Sequence, residues 1–425
     1  MKDSELKIDT VFPSLESVFN AKKNIEKLVQ TTPLQENFRL SKQLGAKIFL
    51  KREDLQPVRS YKIRGAYHKI KMLYEEGKSN QGVVCASAGN HAQGVALACK
   101  DLEISGTIFM PITTPKQKLE QVKMFGGDFI EVKLIGDTFD EAKDAAILFC
   151  KKNESQFIHP FDDNQIIEGQ ATVALEILEQ SKEKIDYIFI PVGGGGLAAG
   201  VVSVCSQLSP ETQLIIVEPK GAASMKEALK SGFNIELPYI DKFVDGAAVK
   251  QVGEITYQIC KNNIQDCLSI DEGKVCDTIL EMYNKDAIVL EPAGALSISA
   301  LDQYREQIRG KNVVCIISGS NNDITRMEEI KERAMLYKGI KHYFLVKFPQ
   351  RPGSLKEFVL HVLGENDDIT FFEYTKKNSR ETAIATVGIE LAHTKDFDGL
   401  MLRMQERGYF ESYLNQSPDI LNILI

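Results

Sequence analysis

Short apolar runs alternate with segments of helical apolar spacing between residues 47 and 325. Each run ends at Gly, Ser or Pro before such a segment begins, as at 138–150. The runs that predict buried strands are 46–51, 83–86, 107–110, 128–132, 187–192, 214–217 and 313–318. Buried strands that alternate with helices are typical of an α/β fold with mainly parallel sheets. Seven such strands are too many for one compact layer. We therefore predict two α/β/α subdomains with a cleft between them, the smaller one (52–150) inserted in the larger.

The pattern changes after residue 325. A charged helical segment at 326–340 predicts a connector, and the residues beyond it predict the order β-α-β-β-α-β within 341–425. The predicted strands are 342–348, 368–374, 382–390 and 409–414, and the predicted helices are 355–363 and 395–407. This order is that of an α+β, ferredoxin-like domain. We therefore expect a small separate domain at 341–425 after a larger region at 1–325.

Composition narrows the class of protein. The chain has 425 residues, of which 43% are hydrophobic and 26% charged, and its formal net charge is −8. These values exclude a mainly disordered or coiled-coil chain, and the acidic balance argues against non-specific nucleic-acid binding. No apolar run approaches the ~20 residues that cross a bilayer, and the N-terminus lacks the apolar segment of a signal peptide. With eight scattered cysteines typical of reduced core thiols, we expect a cytoplasmic enzyme that binds neither nucleic acid nor membrane.

A glycine-rich loop, P-V-G-G-G-G-L at 191–197, follows a predicted strand and opens a predicted helix. Glycines let the backbone approach a phosphate, and a helix N-terminus offers unpaired N–H groups. A dinucleotide-binding interpretation is also open, because Gly194, Gly196 and Ala199 satisfy G-x-G-x-x-A and Glu218 ends the next strand. A tight turn without any ligand is the third alternative, and the loop alone does not decide among the three.

Three further polar loops follow predicted strands and precede predicted helices or turns. They are S-Y-K-I-R-G-A at 60–66, S-A-G-N-H at 87–91 and S-G-S-N-N at 318–322. In an open α/β sheet, loops at the carboxyl ends of the strands converge on one crevice. The sequence therefore predicts that Lys62, Asn90 and Ser318 meet the glycine loop at one ligand site.

Taken together, these motifs resemble the fold-type II pyridoxal-phosphate enzymes (the tryptophan synthase β-like group), and most closely the threonine deaminases. The resemblance covers residues 30–325 and leaves the dinucleotide interpretation weak, since that interpretation gives Lys62, Asn90 and Ser318 no role. The matching motifs are K-R-E-D at 51–54, S-Y-K-I-R-G-A at 60–66, S-A-G-N-H-A-Q-G at 87–94, H-P-F-D-D at 159–163, P-V-G-G-G-G-L at 191–197, E-P-A-G-A at 291–295 and S-G-S-N at 318–321.

The resemblance implies a site for pyridoxal 5'-phosphate, in which Lys62 forms the Schiff base, Asn90 hydrogen-bonds the ring hydroxyl and Ser318 faces the pyridine nitrogen. The phosphate would be bound by backbone N–H groups of Gly193, Gly194, Gly195, Gly196 and Leu197. The substrate carboxylate would be bound by the loop of Ser87, Ala88, Gly89, Asn90 and His91, although His91 also fits a hydrogen-bonded structural histidine. A Schiff-base lysine attacks as a neutral amine, so we expect burial and neighbouring cations to lower the pKa of Lys62.

The activity that the resemblance implies is dehydration and deamination of L-threonine, and secondarily of L-serine, to a 2-oxoacid and ammonia. Lys62 would remove the Cα proton, and a serine facing the ring nitrogen suits elimination better than transamination. The related serine racemases have a serine acid/base where Ala88 stands, which favours elimination over racemisation. They also carry a divalent-cation site after a Glu-Pro strand end. Here Ser224 replaces its second carboxylate near Glu218, so we expect no required metal.

The segment Q-R-P-G-S-L at 350–355 resembles the ACT-type amino-acid-binding domains, and the simpler alternative is a helix start with a proline in its first turn. Arg351, Pro352 and Gly353 are the candidate effector residues, at a helix N-terminus that can receive a carboxylate. The resemblance implies inhibition by isoleucine, relief by valine, pairing of this domain between subunits and a homotetramer. It would place the enzyme at the first committed step of isoleucine synthesis.

Three alternatives remain open. A broader catabolic serine/threonine dehydratase is the nearest, and the extra C-terminal domain argues against it. A pyridoxal-phosphate β-replacement enzyme and a non-catalytic amino-acid sensor are more distant. The intact set of Lys62, Asn90 and 193–197 argues against the sensor.

Overall fold

The structure, a computed structural model, describes residues 12–374 and 382–416. The chain forms two compact units, the first ending at Ile324 and the second beginning at Thr325. Across the described residues, no helix combines the length and the apolar character that crossing a membrane would require. All eight cysteines are free thiols, six buried and two half-buried, which agrees with the core positions expected from their apolar surroundings.

The first unit contains two sheets built from short buried strands. The strands are β1 (Leu34–Glu36), β2 (Lys47–Arg52), β3 (Val83–Ala86), β4 (Gly106–Met110), β5 (Ile130–Leu134), β6 (Gln156–Phe157), β7 (Tyr187–Pro191), β8 (Gln213–Pro219), β9 (Asp266–Ile270) and β10 (Asn312–Ile317). The larger sheet has the order β1-β2-β10-β7-β8-β9 and is parallel except for β1. The smaller sheet has the order β5-β4-β3-β6 and is parallel throughout.

Helices connect these strands and cover the sheets. They are α1 (Leu15–Ile25), α2 (Phe38–Leu44), α3 (Lys62–Glu75), α4 (Asn90–Leu102), α5 (Lys116–Gly126), α6 (Phe139–Asn153), α7 (Asn164–Gln180), α8 (Gly196–Leu208), α9 (Ser224–Ser231), α10 (Glu254–Cys260), α11 (Glu272–Asp286) and α12 (Pro292–Ser299). Apolar side chains of the larger sheet pack with α7 and α8 in one core, and those of the smaller sheet pack with α3 and α4 in another. The expected pair of α/β subdomains is thus confirmed.

Helices α3 and α7 cross where two glycines meet. A Cβ atom on Gly169 would lie 2.5 Å from the Cα atom of Gly65, so any larger residue would force the helices apart. This close contact fixes the first turn of α3, and Lys62 is the first residue of that turn.

A buried ionic cluster anchors the same turn. Lys51, Glu53 and Arg64 are fully buried, and Glu176 is 3% exposed. The Arg64 guanidinium lies 2.7 Å from Glu53 and 2.6 Å from Glu176, and the Lys51 ammonium lies 2.6 Å from Glu176. Burial, the largest single effect, opposes ionisation of Glu53, but the charge and hydrogen bonds of Arg64 together with the Lys51 charge and the Thr32 hydroxyl outweigh it and lower the pKa of that carboxyl. Two cations and two carboxylates therefore tie β2, α3 and α7 together.

Across residues 325–374 and 382–416, the second unit forms a four-stranded antiparallel sheet with three α-helices. Its elements are α13 (Met327–Tyr337), β11 (Lys341–Pro349), α14 (Ser354–His361), β12 (Asp368–Tyr374), β13 (Thr382–Glu390), α15 (Phe397–Glu406) and β14 (Phe410–Tyr413). The sheet order is β12-β13-β11-β14, and Phe344, Phe358 and Leu400 lie in its core. After α13, this is the ferredoxin-like arrangement that the sequence predicts.

The seven predicted strands of the first unit are all present, with one displaced. The strand expected at 128–132 begins at Ile130, because Gly127 takes a positive φ of 55° and opens a short 3-10 turn, Gly127–Phe129. Strands β1, β6 and β9 were not predicted. They are short or half-exposed and lack a continuous apolar run.

Arg64→Met leaves Glu53 and Glu176 buried with only Lys51 to neutralise them. We expect the free energy of unfolding of the first unit to fall by about 3–5 kcal/mol. Urea unfolding followed by circular dichroism measures the loss. Lys184→Ala, which removes an exposed pair with Glu211, is the control and should cost at most ~1 kcal/mol. A loss in the Arg64 variant no larger than in the control would contradict this account of the cluster.

Candidate active site

Three of the four predicted loops meet at the carboxyl ends of the strands. Ser60 pairs with Gly319 in an isolated bridge, and the Tyr61 N–H donates to the Ser318 carbonyl at 3.2 Å. The Asn321 side-chain amide donates to the side-chain oxygen Oδ1 of Asn90 at 2.7 Å. The loops after β2, β3 and β10 are therefore in direct contact, as expected for one crevice.

Lys62 is half-buried at the start of α3, and its Nζ donates to the Pro160 carbonyl at 2.8 Å. Burial lowers the pKa of Lys62 to about 8, and the Glu291 carboxylate partly opposes this shift. The expected direction is present, but the expectation that neighbouring cations cause it is wrong. Desolvation is the cause, and the neighbouring charge that matters is an anion.

The glycine loop leaves a row of backbone N–H groups without acceptors in the described part of the chain. Among the described residues, no carbonyl or side chain accepts from the N–H groups of Gly193 to Leu197, which precede the first bond of the 13-residue helix α8. Gly195 has a φ of 92°, a region that favours glycine. A Cβ atom on Gly194 would lie 2.2 Å from the Phe161 ring. Such a row at a helix N-terminus suits a phosphate, because several N–H donors can bind its oxygens without a cationic side chain.

Asn90 opens α4 and lies between two partners. Its amide nitrogen donates to Glu291 at 2.7 Å, while its carbonyl oxygen accepts from Asn321. Glu291 is 6% exposed, and burial followed by the nearby Asp245 charge raises its pKa to about 7. The donors and acceptors of the Asn90 amide are thereby fixed, and one N–H of the amide remains for a ligand.

Sequence reasoning missed Glu291. The residue belongs to the E-P-A-G-A motif at 291–295, but it was given no role there. A single acid between the apolar runs 287–290 and 292–296 was the available signal. A buried acid is rare unless it is paired or functional, so this position belongs among the candidates.

Ser318 is 4% exposed, and its hydroxyl has no hydrogen-bond partner within residues 12–374 and 382–416. In the loop after β3, the Ser87 hydroxyl accepts from the Gly89 N–H at 3.2 Å. His91 is buried, and its Nε2 lies 2.9 Å from the Ile158 carbonyl, which can only accept, so Nε2 carries the proton. Burial, with a smaller effect of the Lys62 charge, lowers the pKa of His91 to about 3. These contacts favour the structural interpretation of His91, and its substrate role stays a prediction.

Related racemases begin a cation site at the position of Glu218. Here, backbone N–H groups of the chain bind its carboxylate. Its two oxygens accept from the N–H groups of Met225 at 2.7 Å and Lys226 at 2.9 Å. Within the described part of the chain, no group of three His, Cys, Asp or Glu residues is placed to hold a metal ion. Whether a metal is required stays a prediction.

The residues present fit pyridoxal phosphate. A half-buried amine of lowered pKa can react with an aldehyde, a row of free N–H groups can hold a phosphate, and the Ser318 hydroxyl is available to a ring atom. A parallel α/β fold with these groups at its strand ends defines a fold-type II pyridoxal-phosphate enzyme. Comparisons with known proteins agree, since residues 25–319 match the family model described as "Pyridoxal-phosphate dependent enzyme".

Residues 332–423 match the model described as "C-terminal regulatory domain of Threonine dehydratase". The chain is 51% identical to "L-threonine dehydratase biosynthetic IlvA" of Halalkalibacterium halodurans, over 97% of this chain and 99% of that protein. It is 53% identical to the protein of the same name from Bacillus subtilis, over 96% of each chain. The chain therefore belongs to the family of biosynthetic L-threonine dehydratases.

Solved structures give the same fold. Threonine deaminase isoform 2 of Solanum lycopersicum matches with a TM-score of 0.70 and 40% identity, over 76% of this chain and 94% of that chain. Maize serine racemase matches with a TM-score of 0.71 and 29% identity, over 77% of this chain and 99% of that chain.

The Lys62 pKa predicts a pH profile. Apo protein mixed with pyridoxal should gain visible absorbance at a rate that rises with pH through about 8, where the Lys62 amine loses its proton. Glu291→Gln keeps an acceptor for Asn90 but removes the charge that stabilises the ammonium form, so the midpoint should move to lower pH. Glu179→Gln, at an exposed position, should leave the profile unchanged. A wild-type midpoint near 10, or an upward shift in the Glu291→Gln variant, would contradict this assignment.

Proposed function

We propose that this protein catalyses the pyridoxal-phosphate-dependent dehydration and deamination of L-threonine to 2-oxobutanoate and ammonia. The observation that carries the proposal is the Lys62 amine of lowered pKa, which donates to the Pro160 carbonyl, while the next residue, Phe161, lies against Gly194 in the row of free N–H groups. The chain is also 51–53% identical, over nearly its whole length, to biosynthetic threonine dehydratases, which supports the proposal. The reaction would be the first committed step of isoleucine synthesis, in the cytoplasm, with L-serine as a secondary substrate.

Each residue has a defined task in this proposal. When bound, pyridoxal phosphate supplies the electron sink that stabilises charge at the substrate Cα atom. Gly193 to Leu197 would bind its phosphate, the free N–H of Asn90 would bind its ring hydroxyl, and the Ser318 hydroxyl would interact with its ring nitrogen. The loop 87–91 binds the substrate carboxylate. Lys62 then removes the Cα proton, which requires the neutral amine that burial favours.

Proton supply separates this reaction from racemisation. Ala88 has no group that could protonate the substrate from the ring face opposite Lys62. A second acid/base is needed to return a proton from that face, so the chain is suited to one-sided elimination. The regulatory-domain match at 332–423 favours the biosynthetic enzyme over a catabolic serine/threonine dehydratase.

Regulation belongs to the second unit in this proposal, with isoleucine as inhibitor, valine as antagonist and a homotetramer as the assembly. We keep the division into a catalytic region at 1–325, a connector at 326–340 and an ACT-like domain at 341–425. At the proposed effector turn, Arg351 pairs with Glu357 through two bonds of 2.8 and 2.7 Å. Pro352 follows, and Gly353 has a φ of 87° directly before α14. A carboxylate ligand could compete with Glu357 for the Arg351 guanidinium.

Lys62→Ala should reduce 2-oxobutanoate formation from L-threonine by at least about 10³-fold, because it removes both the cofactor amine and the base. A coupled assay of the 2-oxoacid measures the loss. Lys69→Ala, seven residues further along α3, is the matched control and should retain turnover. Wild-type-like activity in the Lys62 variant would refute the proposed chemistry.

Arg351→Ala should raise the isoleucine concentration for half-inhibition by about tenfold or more, since a charged hydrogen bond to the effector carboxylate would be lost. Turnover without isoleucine should stay at the wild-type level. Lys395→Ala, an exposed position of the same unit, is the control. Unchanged sensitivity to isoleucine in the Arg351 variant would remove this turn from the effector site.

A further inference from the structure

Two donors hold the carbonyl of Gly194 on the side of the loop that faces α10. The Thr256 hydroxyl donates to it at 2.7 Å, and the Gly253 N–H donates at 3.1 Å. The single hydroxyl proton of Thr256 is shared with the Gly253 carbonyl at 3.0 Å. Thr256 is fully buried, so water cannot replace its hydroxyl without a rearrangement.

The direction of this carbonyl decides where the next N–H points. In a planar trans peptide the C=O and N–H vectors are opposed. Because the Gly194 carbonyl faces Thr256, the Gly195 N–H points away from Thr256, to the opposite side of the loop. The packing is tight as well, since a Cβ atom on Gly195 would lie 2.7 Å from the Thr256 hydroxyl oxygen.

Asp162 holds Thr256 in place. Its carboxylate accepts from the N–H groups of Glu254 at 3.0 Å and Ile255 at 2.9 Å, and so fixes the first turn of α10. The preceding residue, Phe161, lies under Gly194, and the carbonyl of Pro160 accepts from Lys62. One short segment therefore contacts the Lys62 amine, the floor of the glycine loop and the helix that carries Thr256.

We propose that Thr256 is a positioning residue for the cofactor phosphate, which it orients through the Gly194–Gly195 peptide, with Asp162 as its support. Thr256 need not touch the phosphate. Removing its hydroxyl leaves the Gly194 carbonyl with one donor and lets the peptide rotate, which turns the Gly195 N–H out of the row. The inference rests on the proposed role of 193–197 as the phosphate site.

The test compares two ligands that differ only in the phosphate. Full-length apo protein is titrated with pyridoxal phosphate and with pyridoxal, and the visible absorbance gives each dissociation constant. Thr256→Val should weaken binding of pyridoxal phosphate by about three- to tenfold, the effect of one lost hydrogen bond. Binding of pyridoxal, which has no phosphate to orient, should change by less than about twofold. Thr256→Ser keeps the hydroxyl and should behave as wild type.

Thr278→Val is the matched control, because Thr278 is also buried and its hydroxyl also donates to a backbone carbonyl, that of Lys274. It should leave both dissociation constants unchanged. If the Thr256→Val protein does not fold, Thr256→Cys replaces it, since a thiol is a weak donor of similar size. The same selective loss, smaller in size, is then expected.

Two outcomes would overturn the inference. Equal weakening of both ligands would show a general defect, and an unchanged preference for pyridoxal phosphate would show that Thr256 does not orient the loop. A different result is expected if the proposed phosphate site at 193–197 is itself wrong. If 193–197 does not bind the phosphate, the Gly194→Ser loop variant retains the wild-type preference for pyridoxal phosphate over pyridoxal.

Discussion

The site depends on a row of backbone N–H groups, those of Gly193 to Leu197, that find no acceptor among residues 12–374 and 382–416. A buried donor without a partner costs about 1–3 kcal/mol, so a row of them persists only where the surrounding structure enforces it. Two contacts and one backbone conformation enforce it here. The Phe161 ring fills the space under Gly194, Thr256 holds the carbonyl of Gly194 away from the row, and Gly195 takes a φ of 92° that favours glycine. A phosphate bound there would satisfy these donors and offset their cost, which would couple cofactor binding to stability.

The surrounding fold also favours the neutral, reactive form of the Lys62 amine. Lys62 starts a helix, where the aligned peptide dipoles disfavour a positive charge, and its amine is half-buried against the Pro160 carbonyl. Its helix cannot move to relieve this position, because Arg64 is held by two buried carboxylates and Gly65 touches Gly169. The net charge of −8 is compatible with an anionic cofactor, since local N–H groups and not bulk charge would receive its phosphate.

Continuous apolar runs made most of the fold predictable. Strands such as β3, β7 and β10 are buried along their length, so their sequences show no alternation and predict parallel sheets. Strand β9 is exposed or half-buried at four of its five positions and gave no such signal. The residues of the glycine loop and Lys62 follow strand ends and could be identified from position. Thr256 and Pro160 could not, because their contacts join segments about 60 to 100 residues apart. Glu291 had a local signal as a lone acid between apolar runs, but its contact with Asn90, about 200 residues away in the chain, had none.

The central claim is that Lys62, beside the glycine loop, is the lysine that carries pyridoxal phosphate. Reduction of the holoenzyme with borohydride would make that bond permanent, and peptide mapping by mass spectrometry would locate it. We predict that the cofactor mass lies on the peptide that contains Lys62 and that Lys62→Ala protein gains no such mass. Labelling of a different lysine in the wild-type holoenzyme would contradict the account.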